Sequence, residues 1–120
     1  MAKIESFRDL NVWKKSHELT LEVYKITKNL PKDEKFGLVS QMRRASVSVP
    51  ANIAEGFKRR GIRDKICFYN ISQSSLSELE YYLILIKDLE YSDKTDLILN
   101  MVEEVGKMLN GLISSINPKT

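Results

Sequence analysis

Residues 37–60 read GLVSQMRRASVSVPANIAEGFKRR. Leu38, Met42, Ala45, Val49, Ile53 and Phe57 recur at steps of four and three, which lines them up on one face of a helix. Pro50 falls inside this pattern. It donates no backbone hydrogen bond and its ring clashes with the carbonyl of Ser46, so the spacing predicts a kink, or a break with Pro50 in a new first turn. Gly56 and Gly61 mark the turn that follows. A second line, Gln41, Arg44, Ser48, Asn52 and Glu55, runs beside the apolar stripe. Simple amphipathicity does not call for a polar line there.

Three further segments have the same period. Around 11–30, Val12, Leu19, Val23, Ile26 and Leu30 form a stripe in which Ser16 fills the gap, with Trp13, His17, Thr20, Tyr24 and Thr27 in the next row. Pro31 stops this helix. Around 63–89 the stripe is Phe68, Ser72, Ser75, Leu79, Tyr82, Ile86 and Leu89, widened by Leu76 and Leu83. Around 93–116 it is Ile98, Met101, Val105, Met108 and Leu112, beside Val102, Leu109 and Ile116; Ser92 or Asp93 is the expected cap and Pro118 the stop. Four helices (11–30, 37–60, 63–89 and 93–116) with short loops predict an all-α, antiparallel up-down-up-down four-helix bundle, one domain over residues 1–120. The apolar rows are wider than one bundle seam needs: either they are simply core, or the surplus is buried between subunits, which predicts a homo-oligomer.

Composition agrees with this class. In 120 residues there are 5 Gly and 3 Pro, too few for a loop-rich or disordered chain. One cysteine excludes an internal disulfide and a cysteine-based zinc site. No apolar run approaches the roughly 20 residues of a membrane span, and MAKIESFRDL has no secretory apolar region, so the expectation is a cytoplasmic protein with no membrane partner. The net charge of +3 conceals an asymmetry: residues 1–40 carry +2, residues 41–70 carry +5 and residues 71–120 carry −4.

If the second and third helices are antiparallel about Gly61, opposed residue numbers sum to about 122. Arg44 then meets Glu78, Ser48 meets Ser74 or Ser75, and Gln41 meets Tyr81 or Tyr82. The expected polar network is Gln41, Arg44, Ser48, Asn52, Glu55, Ser75 and Glu78. Removing one partner of a buried Arg44–Glu78 bridge would cost about 3–5 kcal/mol.

Several motifs occur in order: Phe7-Arg8-Asp9-Leu10-Asn11-Val12-Trp13, Val23-Tyr24, Phe36-Gly37-Leu38, Gln41-Met42-Arg43-Arg44-Ala45, Ser48-Val49-Pro50-Ala51-Asn52-Ile53-Ala54-Glu55-Gly56 and Ser75-Leu76-Ser77-Glu78-Leu79-Glu80. Over nearly the whole chain they resemble the bacterial four helix bundle protein family, which includes 23S rRNA intervening sequence proteins. Accessory proteins of diversity-generating retroelements are more distantly similar. The resemblance implies a homopentameric ring and, from the retroelement relatives, binding to a reverse transcriptase and to RNA or DNA through basic surfaces. Where the family usually has glycine this chain has Ser74, which removes support for a close helix contact there.

The residues themselves suggest no catalysis. Cys67, near Arg63 and Lys65, reads as a buried structural cysteine rather than a nucleophile. His17 reads as a packed or surface histidine. Glu78/Glu80 and Glu103/Glu104 lack the paired Glu-x-x-His of di-iron bundles, and no phosphate loop or His-Glu-x-x-His occurs. A non-enzyme without metal or cofactor is expected. The candidate nucleic-acid-binding residues are Lys58, Arg59, Arg60, Arg63 and Lys65, clustered at one bundle end, where dense positive charge suits phosphate with little sequence preference. The alternative is a protein-binding or scaffolding oligomer with no nucleic-acid role.

Overall fold

The computed structural model describes residues 3–117. A 3-10 turn at Phe7–Asp9 precedes α1 (Asn11–Thr27). A second 3-10 turn (Lys32–Glu34) and a π turn (Lys35–Val39) lead into α2 (Ser40–Lys58), followed by α3 (Ile62–Asp88) and α4 (Thr95–Ile116). Among the described residues there is no strand. The expected stop at Pro118 lies outside the described residues. At about 1.5 Å per residue the 27 residues of α3 span about 40 Å, close to the long axis of the 45 × 27 × 22 Å molecule.

Each helix packs against its neighbour in the chain, and α4 closes against α1. Leu19 and Val23 of α1, Met42, Val49 and Ile53 of α2, Leu79, Leu83 and Ile86 of α3, and Val105 and Leu109 of α4 are fully excluded from solvent. Their period-3.6 spacing makes these segments helical, and their burial supplies most of the stabilisation.

The expected boundaries shift slightly. The first helix ends at Thr27, not Leu30, although Leu30 remains buried. Neither Ser92 nor Asp93 caps α4: its N-cap is Lys94, whose own N–H donates to the Ser92 hydroxyl at 3.1 Å. On α3 the buried column is Tyr69, Ser72, Leu76, Leu79, Leu83 and Ile86, with Phe68, Ser75 and Tyr82 half-buried and Leu89 exposed. The stripe is rotated because Tyr69 fills the space beside Gly56, where an added Cβ would stand 2.6 Å from its ring.

Helix α2 passes through Pro50 without a break. A proline at 50 leaves the carbonyl of Ser46 without its usual helical donor. Thr20 of α1 donates its hydroxyl to that carbonyl at 2.9 Å, and Ser46 is fully buried. The neighbouring helix therefore satisfies the backbone group that the proline orphans, as buried polar groups require.

Contacts between α2 and α3 fix their register. Ser48 and Ser75 join hydroxyls at 2.8 Å, the Ser72 hydroxyl donates to Val49 O at 2.9 Å, and the Lys65 ammonium donates to Phe57 O at 2.7 Å. The partners ascend on α3 as they descend on α2, with numbers summing close to the expected value.

Candidate nucleic-acid interface

The basic end is built around the short connection from Lys58 to Ile62. Arg59 is extended, which ends α2, and its N–H donates to Gly56 O at 3.2 Å. Gly61 is extended too, and α3 starts beyond it.

The five predicted cations differ in what they are free to do. Lys65 is half-buried and its ammonium donates to Phe57 O at 2.7 Å and Gly56 O at 3.3 Å. It thus caps the C-terminal carbonyls of α2, where a cation also complements the helix dipole. Arg59 pairs with Glu55 at 3.1 Å and lies over Phe68, 4.6 Å from the ring centroid. Lys58 is exposed and sits 5.7 Å from the Phe7 ring centroid. Arg60 and Arg63 are exposed and, among the described residues, form no ion pair.

The fold adds a cation that sequence reading missed. Arg8, exposed in the first 3-10 turn, lines one shallow groove with Phe7, Phe57 and Lys58. The only signal was indirect: Phe7 is apolar just before a helix and needs a surface to cover. Ser6 and Asp9 hold this turn by a capping box, the Ser6 hydroxyl accepting from Arg8 N–H at 3.2 Å. The Asp9 carboxylate accepts from the N–H groups of Glu5 and Ser6 at 3.0 Å each. These two bonds, that from Glu5 first, hold the Asp9 carboxyl below its ordinary range.

The expected polar network forms only at its centre. Asn52 donates to the Ser48 carbonyl at 2.8 Å and to the Ser48 hydroxyl at 2.9 Å, and Ser48 meets Ser75. Gln41, Arg44, Glu55 and Glu78 are exposed. The expected Arg44–Glu78 bridge is absent among the described residues. The register is right, but both side chains point to solvent, and Glu78 accepts instead from the Tyr82 hydroxyl at 3.0 Å. Burial and, secondarily, this bond raise the Tyr82 pKa. The arginine committed to the interior contact is Arg43. Its Nε donates to the Thr27 hydroxyl at 2.9 Å, a terminal nitrogen reaches Tyr24 O at 3.5 Å, and the guanidinium lies 4.6 Å from the Tyr24 ring centroid.

Cys67 is exposed rather than buried, because Tyr69, two positions on, takes the core direction. His17 is exposed and stacked on Trp13. Ser74 is exposed, so no close helix contact forms at that position. Among the described residues no cluster of His, Cys, Asp and Glu could hold a metal ion, and no helix is long and apolar enough to cross a membrane. A cleft of about 470 Å³ lies at the other end, between Ile26 of α1, Asn29 just beyond it and the connection into α4, with Glu22, Lys25, Asp93 and Lys94 of mixed sign in its lining.

A family model for the 23S rRNA-intervening sequence protein matches residues 8–111. The chain belongs to the 23S rRNA-intervening sequence protein family. Its fold is also similar to the crystal structure of a protein of unknown function from the S23 ribosomal protein family of Bacteroides thetaiotaomicron, with a TM-score of 0.79 and 30% identity over 85% of this chain and 97% of that one. Comparison with curated proteins gives no match. The matched span takes in both the polar centre of α2–α3 and all five predicted cations.

Proposed function

We propose that this member of the 23S rRNA-intervening sequence protein family is a non-catalytic, cytoplasmic accessory protein that binds nucleic acid through its basic end. The observation that supports this most is the pair Arg60 and Arg63, exposed and free of ion pairs among the described residues, close in sequence to Lys58, which shares a shallow groove with Arg8. A guanidinium without an internal carboxylate is available to phosphate oxygens, which it matches as a planar fork.

The bundle is inferred to be up-down-up-down and to assemble as a homo-oligomer, a pentameric ring by its resemblance to relatives. Exposed Ile71, Tyr81 and Ile84 on α3 supply apolar surface for subunit contact. Repetition around a ring would multiply the basic end into a positive rim. A reverse transcriptase is the protein partner that the retroelement resemblance brings into consideration.

Two measurements test this. Light scattering should give a mass several times that of the chain; a monomer at working concentration refutes the ring. Labelled RNA hairpins and duplex DNA, titrated across a salt series, should bind with an affinity that falls steeply as salt rises. No binding at low salt refutes the nucleic-acid role and leaves the scaffolding alternative.

A further inference from the structure

Aromatic rings continue away from the basic end along α1. Phe7 meets Trp13 edge-on at 5.2 Å between centroids, and Trp13 lies nearly parallel to His17 at 5.2 Å and 7°. His17 is exposed, and among the described residues no ring or cation covers its other face. The stack is therefore open at one end.

Two stripes flank the stack, and the nearest acids, Glu5, Asp9 and Glu18, lie off both of them. Lys14, His17, Leu21, Tyr24 and Lys28 follow helical spacing on α1, and all five are exposed. On α2 the outer stripe is Ser40, Arg44, Val47, Ala51, Ala54 and Lys58. Neither stripe holds a carboxylate. Tyr24, Arg44, Val47 and Ala51 line one shallow groove between the two helices. By contrast residues 71–120, which include most of α3 and all of α4, carry −4.

We propose that the outer groove between α1 and α2 binds a single strand of nucleic acid, an unpaired base stacking on the open face of His17 and phosphates meeting Lys14, Arg44 and Lys58. This rests on the nucleic-acid role proposed above and names the form of the ligand. Duplex bases are stacked on one another and cannot reach an aromatic ring, whereas unpaired bases can stack on one. The acid-free stripes complement a polyanion along their whole length. From Trp13 to Tyr24 the face of α1 spans about 16 Å at 1.5 Å per residue, room for about four or five stacked bases at roughly 3.4 Å each.

Trp13 is the single tryptophan, so its emission reports on the stack directly. Wild type, His17→Ala and the Arg60→Ala/Arg63→Ala double variant are titrated at low salt with 12-residue oligo-U, oligo-dT and a blunt duplex. Both single strands should quench Trp13, the duplex should not, and His17→Ala should weaken single-strand binding about fivefold or more, the lower end of a base–aromatic stack. A preference between U and dT tells RNA from DNA as the better ligand. Single strands that bind without quenching, with unchanged affinity in His17→Ala, overturn the groove while leaving binding at the basic end intact; the double variant then carries the whole loss. Absence of binding by all three probes overturns the groove together with the nucleic-acid role.

Discussion

Replacing Thr20 by valine keeps the side-chain shape and removes one hydroxyl. That hydroxyl has a single proton to share between Ser16 O at 3.1 Å and Ser46 O at 2.9 Å, the shorter contact being the one across to α2. The Ser16 carbonyl still has the helical N–H of Thr20. The Ser46 carbonyl has no N–H at residue 50 to fall back on, because residue 50 is proline, and Ser46 is fully buried. A buried carbonyl left unpaired costs about 1–3 kcal/mol. At about 4 °C per kcal/mol for a domain of this size, Thr20→Val should lower Tm by about 4–12 °C. Urea unfolding at fixed protomer concentration measures the same loss as a free energy. Pro50→Ala gives residue 50 an N–H that can serve Ser46 O, so in that background Thr20→Val should cost about 1 kcal/mol less or better. Equal costs in the two backgrounds, within about 0.5 kcal/mol, would refute the idea that Thr20 serves the proline's orphan.

Three other outcomes follow from the same contacts. Gly56→Ala places a Cβ 2.6 Å from the buried Tyr69 ring and 3.2 Å from Lys65 O, so urea unfolding should show a loss of about 1–3 kcal/mol despite the better helix propensity of alanine. Arg44→Met, at an exposed site without an ion pair among the described residues, should change stability by no more than about 0.5 kcal/mol; a loss of several kcal/mol would restore the buried Arg44–Glu78 bridge. Because folding lowers the Asp9 pKa, its contribution to the 3-10 turn is present above the unfolded value and is lost as pH falls through the folded one. A carboxyl titration by NMR should give an Asp9 midpoint below 3.8, and a midpoint above it contradicts the capping box.

Periodicity in the sequence was enough to locate four helices, since core residues such as Val49, Ile53, Leu79 and Val105 repeat with the helical period. The register of α2 against α3 was also legible, because a short turn near Gly61 leaves little freedom, and Ser48 does meet Ser75. Direction around each helix was harder. Arg43 and Arg44 differ by one position, about 100° of rotation, and only the packing of α1 against α2 decides that Arg43 turns inward to Thr27. The same one-position ambiguity replaced Phe68 by Tyr69 in the core and put Cys67 on the surface. At the basic end the sequence located the cluster but could not divide it. Whether a cation is free depends on carbonyls and carboxylates within reach, and these remove Lys65 to Phe57 O and Arg59 to Glu55. Arg8 joined the site across fifty positions of chain, beyond the reach of any local pattern.

The salt dependence of nucleic-acid binding tests the role of Arg60 and Arg63 most directly. For duplex DNA the slope of log affinity against log salt counts neutralised phosphates at about 0.9 each. Arg60→Ala with Arg63→Ala should lower the affinity and make that slope shallower by about 2, while Arg59→Ala, whose guanidinium is held by Glu55 and Phe68, should change it less. A slope unchanged by the double variant, or a larger change in Arg59→Ala, would contradict the assignment of the free arginines to phosphate.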